Sequence, residues 1–154
     1  KGLGAYIASQ LPKKEIILYP GYCPTHMRIR VEDIHKVKEN YPDAKVLIHP
    51  ECHMEVIKLA DYVGSTSGII KYAKESTSKQ FIIGTEKGVL ERLQRDCPEK
   101  EFILPTKRAI CQNMKWNTLE DILISLEKET PEIHVEEEIS KKAFVAIDQM
   151  LKVS

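Results

Sequence analysis

No apolar run in these 154 residues approaches the roughly 20 positions that span a bilayer, and no secretory leader is visible. A cytoplasmic protein with no membrane partner is the resulting expectation. Neither charge sign dominates: 23 Lys and Arg stand against 23 Asp and Glu, so no global field draws nucleic acid or an anionic surface. The four cysteines, Cys23, Cys52, Cys97 and Cys111, include no C-x-x-C pair, and in a reducing compartment disulfides are not expected among them. Low-complexity tracts are absent. An initiating methionine is also absent, and Lys1-Gly2-Leu3-Gly4 runs straight into a helical pattern, which reads as a piece of a longer chain.

What is present is the composition of a globular protein, 42% hydrophobic and 30% charged, long enough for one core or for parts of two small domains. Ala5 to Leu11 reads as a helix ended by Pro12, and Glu15 to Tyr19 as a short apolar strand closed by Pro20-Gly21. Val31, Ile34, Val37 and Tyr41 follow helical spacing. Apolar strands are then expected at Lys45–Ile48, Tyr62-Val63, Phe81–Ile83 and Phe102–Leu104, with helical patterns between them. Thr85 reads as the N-cap of the helix bearing Val89, Leu90 and Leu93. Successive βαβ units of this kind predict an α/β fold: a three-layer αβα domain with a four-stranded, mainly parallel sheet. Beyond Pro105 the pattern changes to an irregular segment around Cys111. A helix follows with a capping box at Asn117 and Glu120, then an acidic connector and a last helix carrying Ile139, Ala143, Ile147 and Leu151. These two helices, with no strand between them, are expected to pack on a neighbouring domain.

Chemistry concentrates where the strands end. Ligands of open α/β sheets bind at the carboxyl edge, and the loops leaving the strands carry His49/Glu51, Ser65/Thr66, Thr85/Glu86 and Thr106. Glu51, after a proline at a strand end, is a candidate acid–base group, with His49 two positions earlier as a donor to substrate. The triplet alone is read equally well as a backbone-satisfied histidine and a solvated glutamate. Ser65, Thr66, Ser67 and Gly68 open a helix and offer hydroxyls and N–H groups to a phosphate or carboxylate, with a plain N-cap as the alternative. Cys23 and Cys111 lie in irregular loops beside Pro24/His26 and Gln112/Asn113, whereas Cys52 and Cys97 read as packing residues. Spacing alone makes no metal site of them.

The segments Gly21-Tyr22-Cys23-Pro24-Thr25-His26, His49-Pro50-Glu51-Cys52 and Ala60-Asp61-Tyr62-Val63-Gly64-Ser65-Thr66-Ser67-Gly68-Ile69 resemble the quinolinate synthase family. So do Gly84-Thr85-Glu86-Lys87-Gly88 and Cys111-Gln112-Asn113-Met114-Lys115, and the matches follow in order over most of the chain. The resemblance implies three such α/β domains about a pseudo-threefold axis, each giving one cysteine to a central 4Fe–4S cluster with one open iron. Residues 1–27 would then end the preceding domain and carry a cluster loop, 28–107 would be a complete α/β domain, and 108–154 a cluster loop with C-terminal helices. It further implies condensation of iminoaspartate with dihydroxyacetone phosphate to quinolinate on the route to NAD, with the open iron as Lewis acid. Cys23 and Cys111 would be two of three cluster ligands, the third lying outside this chain. Glu51 would move protons, His49 and His26 would contact substrate, and Ser65 and Thr66 would hold its anionic groups. Implied partners are the missing N-terminal part of the protein and an iminoaspartate-producing enzyme. By itself this piece is expected to be inactive. The rival reading from another class is a non-catalytic α/β module that binds a phosphorylated or dicarboxylate ligand. An electron-transfer protein fits less well, because electron carriers usually fill all four cluster positions.

Overall fold

Alternation along two central strands sets the architecture. In the computed structural model, which describes residues 1–153, β1 (Lys45–Ile48) turns Val46 and Ile48 into one apolar cluster and Leu47 into another. β3 (Gln80–Gly84) does the same, with Ile82 on the first side and Phe81 and Ile83 on the second. A strand buried on both faces needs a helix layer on each. On the first face lie α3 (Val31–Asn40), through Ile34, and the single turn α4 (Met54–Ile57), through Val56 and Ile57. On the second lie α5 (Thr66–Glu75), through Ile69 and Ala73, and α6 (Lys87–Asp96), through Val89, Leu90 and Leu93. Full burial of such side chains is worth about 1.5–3 kcal/mol each. The result is the expected three-layer αβα arrangement.

The sheet has four strands in the order β2-β1-β3-β4, with β2 at Tyr62–Val63 and β4 at Glu101–Ile103, and every pair is parallel. Leu47 pairs with Tyr62 and with Ile83, and Ile82 pairs with Ile103. All four strands therefore end on one edge. Preceding them are α1 (Gly2–Gln10), which begins three residues before the expected start, and the one-turn α2 (Pro24–Met27). The chain divides into two compact units, Lys1–Gln112 and the residues from Asn113 on. The second unit contains a short 3-10 turn (Asn113–Lys115) and two amphipathic helices, α7 (Leu119–Lys128) and α8 (Glu137–Lys152), neither of which buries a residue.

Three local expectations are corrected. Residues 15–19 form no strand: Ile17 and Tyr19 are 89% and 80% exposed and the segment is irregular. A strand exists only where a neighbour takes up its N–H and C=O groups, and among the described residues none pairs with this one. Thr85 does not cap α6; Glu86 does, accepting from the Gly88 N–H at 2.6 Å. The capping box before α7 is one residue later than expected, with Thr118 Oγ1 accepting from the Asp121 N–H at 3.1 Å and the Asp121 carboxylate accepting from the Thr118 N–H at 2.9 Å.

Candidate functional site

The parallel sheet delivers its strand ends to one edge, and short backbone bonds lock the exits together. The Gly84 carbonyl accepts from the His49 N–H at 3.1 Å, and the Ile48 carbonyl accepts from the Gly64 N–H at 3.2 Å. Gly84 has no side chain for a reason of space: a Cβ there would lie 2.1 Å from Ile48 Cδ1. After Ile48 the chain turns sharply, the Cys52 N–H donating to the His49 carbonyl at 3.0 Å. Helix α1 closes over this turn at Gly2, where a Cβ would approach the Glu51 carbonyl oxygen to 2.6 Å.

His49 meets a histidine from elsewhere in the chain. Cys23 is the N-cap of α2, Pro24 opens that helix without needing an N–H donor, and His26 follows inside it. The His26 ring stacks on the His49 ring with centroids 4.2 Å apart and planes 17° from parallel. Its Nε2 lies 3.0 Å from Thr85 Oγ1, in a hydrogen bond between two buried side chains. Its Nδ1 faces Glu51 Oε2 at 3.4 Å and is a buried nitrogen without a hydrogen-bond partner. Burial, reinforced by the neighbouring His49, pushes the His26 pKa down to about 4. Burial also lowers that of His49, with Glu51 opposing. The Glu51 N–H donates to His49 Nδ1 at 3.3 Å, which makes that nitrogen an acceptor and places the ring proton on Nε2. Two neutral imidazoles thus stand beside one carboxylate, a set of groups able to give, take and hold a proton.

The sequence-identified residues divide into three placements. Cys23, His26 and Glu51 converge, with their ligating atoms all within 4.8 Å of one another, and His49 joins them through the ring stack. Ser65 and Thr66 sit at the end of β2 on the same sheet edge, outside that group. Ser65 serves as the N-cap of α5, its Oγ accepting from the Gly68 N–H at 3.3 Å and lying 3.1 Å from Ser67 Oγ, while Thr66 is exposed. Cys111 is also outside the group, held instead on the turn after β3: its N–H donates to Glu86 Oε1 at 3.3 Å, and the Ala109 carbonyl accepts from the Lys87 N–H at 2.9 Å. Arg108 ties the same loop to α3 through Asp33, at 3.1 and 2.9 Å.

The four thiols are all free and not equivalent. Burial, with Cys23 adding to it, pushes the Cys52 thiol up to about 12, and its Sγ donates to the Gly84 carbonyl at 3.6 Å. Cys97 is buried at the end of α6. Cys23 and Cys111 are only partly buried, Cys23 just before α2 and Cys111 in the irregular stretch that precedes the 3-10 turn. Thr85 and Glu86 are the site residues that sequence reasoning undervalued: both were recognised as edge residues, but the contacts to His26 and Cys111 were not legible.

The family model for Quinolinate synthetase A protein matches residues 1–152. Among curated relatives, a quinolinate synthase of Clostridium kluyveri is 46% identical over 153 residues, 99% of this chain and 50% of that protein. One of Clostridioides difficile is 47% identical over 154 residues, 100% of this chain and 51% of its own length. One of Geobacter is 48% identical over 153 residues, with 99% and 50% covered. The chain spans about half the length of the curated relatives it matches. With a match over 1–152 and identities near one half along the whole chain, it belongs to the quinolinate synthetase A family.

Proposed function

We propose that the chain is the carboxyl-terminal half of a quinolinate synthase, the enzyme condensing iminoaspartate with dihydroxyacetone phosphate in NAD biosynthesis. Residues 28–107 are then a complete α/β domain, flanked by the end of a preceding domain and by C-terminal helices. The observation that carries this reading is the convergence of Cys23, His26 and Glu51. A thiol, an imidazole and a carboxylate on one sheet edge are the donors that a metal-assisted dehydration needs.

The side chains fit a cluster held by Cys23, Cys111 and a third cysteine outside this chain. Cys52 and Cys97 are buried among apolar side chains, and Cys52 Sγ is turned to the Gly84 carbonyl, whereas Cys23 and Cys111 are partly open. The orphaned Nδ1 of His26, buried beside Cys23 and Glu51, is a polar atom that a substrate or metal-bound group would satisfy. When bound, the 4Fe–4S cluster supplies a Lewis acid for hydroxyl and carbonyl oxygens. Glu51 takes and returns the protons of condensation and dehydration. His49, its proton on Nε2, donates to a substrate oxygen, and His26 holds its neighbour through Nδ1. Ser65 and Thr66, at the N-terminus of α5, receive a carboxylate or phosphate. Two of three ligands hold a cluster poorly, so the piece alone is inactive until the N-terminal part is supplied.

Anaerobic reconstitution of the full-length protein tests the reading. Cys23→Ala and Cys111→Ala lose the 4Fe–4S absorbance, whereas Cys52→Ala and Cys97→Ala keep it. Glu51→Gln keeps the cluster and loses about 100-fold or more in turnover. Retention of the cluster in all four cysteine variants, or wild-type turnover in Glu51→Gln, sinks the assignment.

A further inference from the structure

The turn after β3 touches both cysteine loops through consecutive side chains. Thr85, 1% exposed, pairs with His26, three residues after Cys23 on the same short helix. Glu86, 7% exposed, accepts from the Cys111 N–H through Oε1 and from the Gly88 N–H through Oε2. The Lys87 N–H then donates to the Ala109 carbonyl, a second rung to the Cys111 loop. We propose that Thr85 and Glu86 are positioning residues that fix the two cysteine loops to one rigid turn and so set the placement of Cys23 relative to Cys111. This rests on the assignment of those two cysteines to a shared metal group.

Chemistry explains why these residue types are needed. The Gly88 and Cys111 groups that meet Glu86 are both backbone N–H donors, and a carboxylate presents only acceptors to them. Glutamine would aim an amide N–H at one of the two donors. Aspartate is a good N-cap and keeps the bond to Gly88, but it is one methylene too short to reach Cys111 as well. Thr85 has the complementary role. Its hydroxyl is the partner of a buried ring nitrogen, and valine of the same shape would leave His26 Nε2 unpaired. A cap-only role for Glu86 predicts a change in fold stability on substitution, whereas a positioning role predicts a change at the cysteines when the cap is kept.

The test uses the full-length protein, reconstituted anaerobically, with iron release to excess ferrous chelator and the EPR spectrum of the reduced cluster as readouts. Glu86→Asp is expected to melt like the wild type when metal-free, yet to release iron about tenfold faster or more, with altered EPR. Thr85→Val is expected to release iron faster as well, and Thr85→Ser to restore the wild-type rate. Alkylation of Cys111 by iodoacetamide in the metal-free protein reads the Glu86 contact without the cluster, and it accelerates in Glu86→Asp. Wild-type iron release, EPR and alkylation in Glu86→Asp remove Glu86 from the inference, and wild-type release and EPR in Thr85→Val remove Thr85. A full cluster in Cys23→Ala and Cys111→Ala is a separate failure. It overturns the ligand assignment, and with it the shared metal group on which the proposal stands.

Discussion

His26 stores pH-dependent stability that can be measured without any ligand. It is 8% exposed and its pKa is pushed from 6.5 to about 4, by burial first and by His49 second. The unfolded chain therefore takes up a proton near pH 6.5, while the folded chain stays neutral until about 4. Above pH 6.5 both states are neutral and the full stability is present. As pH falls from 6.5 to 4 the unfolded state gains, at roughly 1.4 kcal/mol for each pH unit, so about 3 kcal/mol is lost across the window. About 2 kcal/mol of this is gone by pH 5. With a urea slope of about 1–3 kcal/mol per molar, the midpoint falls by about 1 M. The assay is urea unfolding followed by far-UV circular dichroism at pH 7.5 and pH 5, for wild type and His26→Gln. The difference between their pH-induced shifts isolates His26 from carboxylates common to both. Equal shifts in the two proteins would refute the buried neutral imidazole.

Three further outcomes follow from individual contacts. Lys100 Nζ donates to the carbonyls of Ala73, Lys74 and Ser76 at 2.7, 3.1 and 2.8 Å, so Lys100→Met is expected to uncap α5 at a cost of about 1–3 kcal/mol in thermal or urea unfolding. Iodoacetamide at pH 8 is expected to label Cys23 and Cys111 in the native chain and to spare Cys52 and Cys97 until denaturant is added, as peptide mass spectrometry reads directly. Gly84→Ala places a methyl 2.1 Å from Ile48 Cδ1 and is expected to destabilise by about 1–3 kcal/mol. Adding Ile48→Val removes that carbon, so the double variant is expected to be more stable than the sum of the singles, and strict additivity would contradict the contact.

The fold was legible because its central strands are buried on both faces. Val46-Leu47-Ile48 and Phe81-Ile82-Ile83 are continuous apolar runs, the pattern of parallel strands under two helix layers. Ile16-Ile17-Leu18-Tyr19 has the same pattern and forms no strand, since pairing belongs to two segments and only one is present among the described residues. The residues of the candidate site could be named one by one from motifs, at Cys23, His26, His49 and Glu51. Their convergence could not, because α2 reaches the edge from outside the sheet. Thr85 shows the limit most clearly. A hydroxyl just before a helix favours capping by local propensity, yet its partner is His26, 59 positions away. Propensity sees neighbours in sequence; the buried ring nitrogen had the stronger claim on that hydroxyl.

Strand order also gives the edge a polarity that no single motif contains. β1 lies between β2 and β3, so the His49–Glu51 loop has the Ser65–Ser67 turn on one side and the Thr85–Glu86 turn on the other. The two flanks differ in kind. On the β2 side the hydroxyls are exposed, and Ser65 Oγ bonds within its own turn, to Ser67 and Gly68. On the β3 side Thr85 and Glu86 are buried and bonded to elements from both ends of the unit. Exposed groups on a helix N-terminus meet a ligand with little rearrangement of the protein, whereas buried, doubly bonded groups transmit displacement to whatever they hold. On the proposed function, changes on the β2 flank therefore register as altered ligand affinity at constant fold. Changes on the β3 flank should register as altered geometry at Cys23, His26 and Cys111, even though neither Thr85 nor Glu86 need touch the substrate.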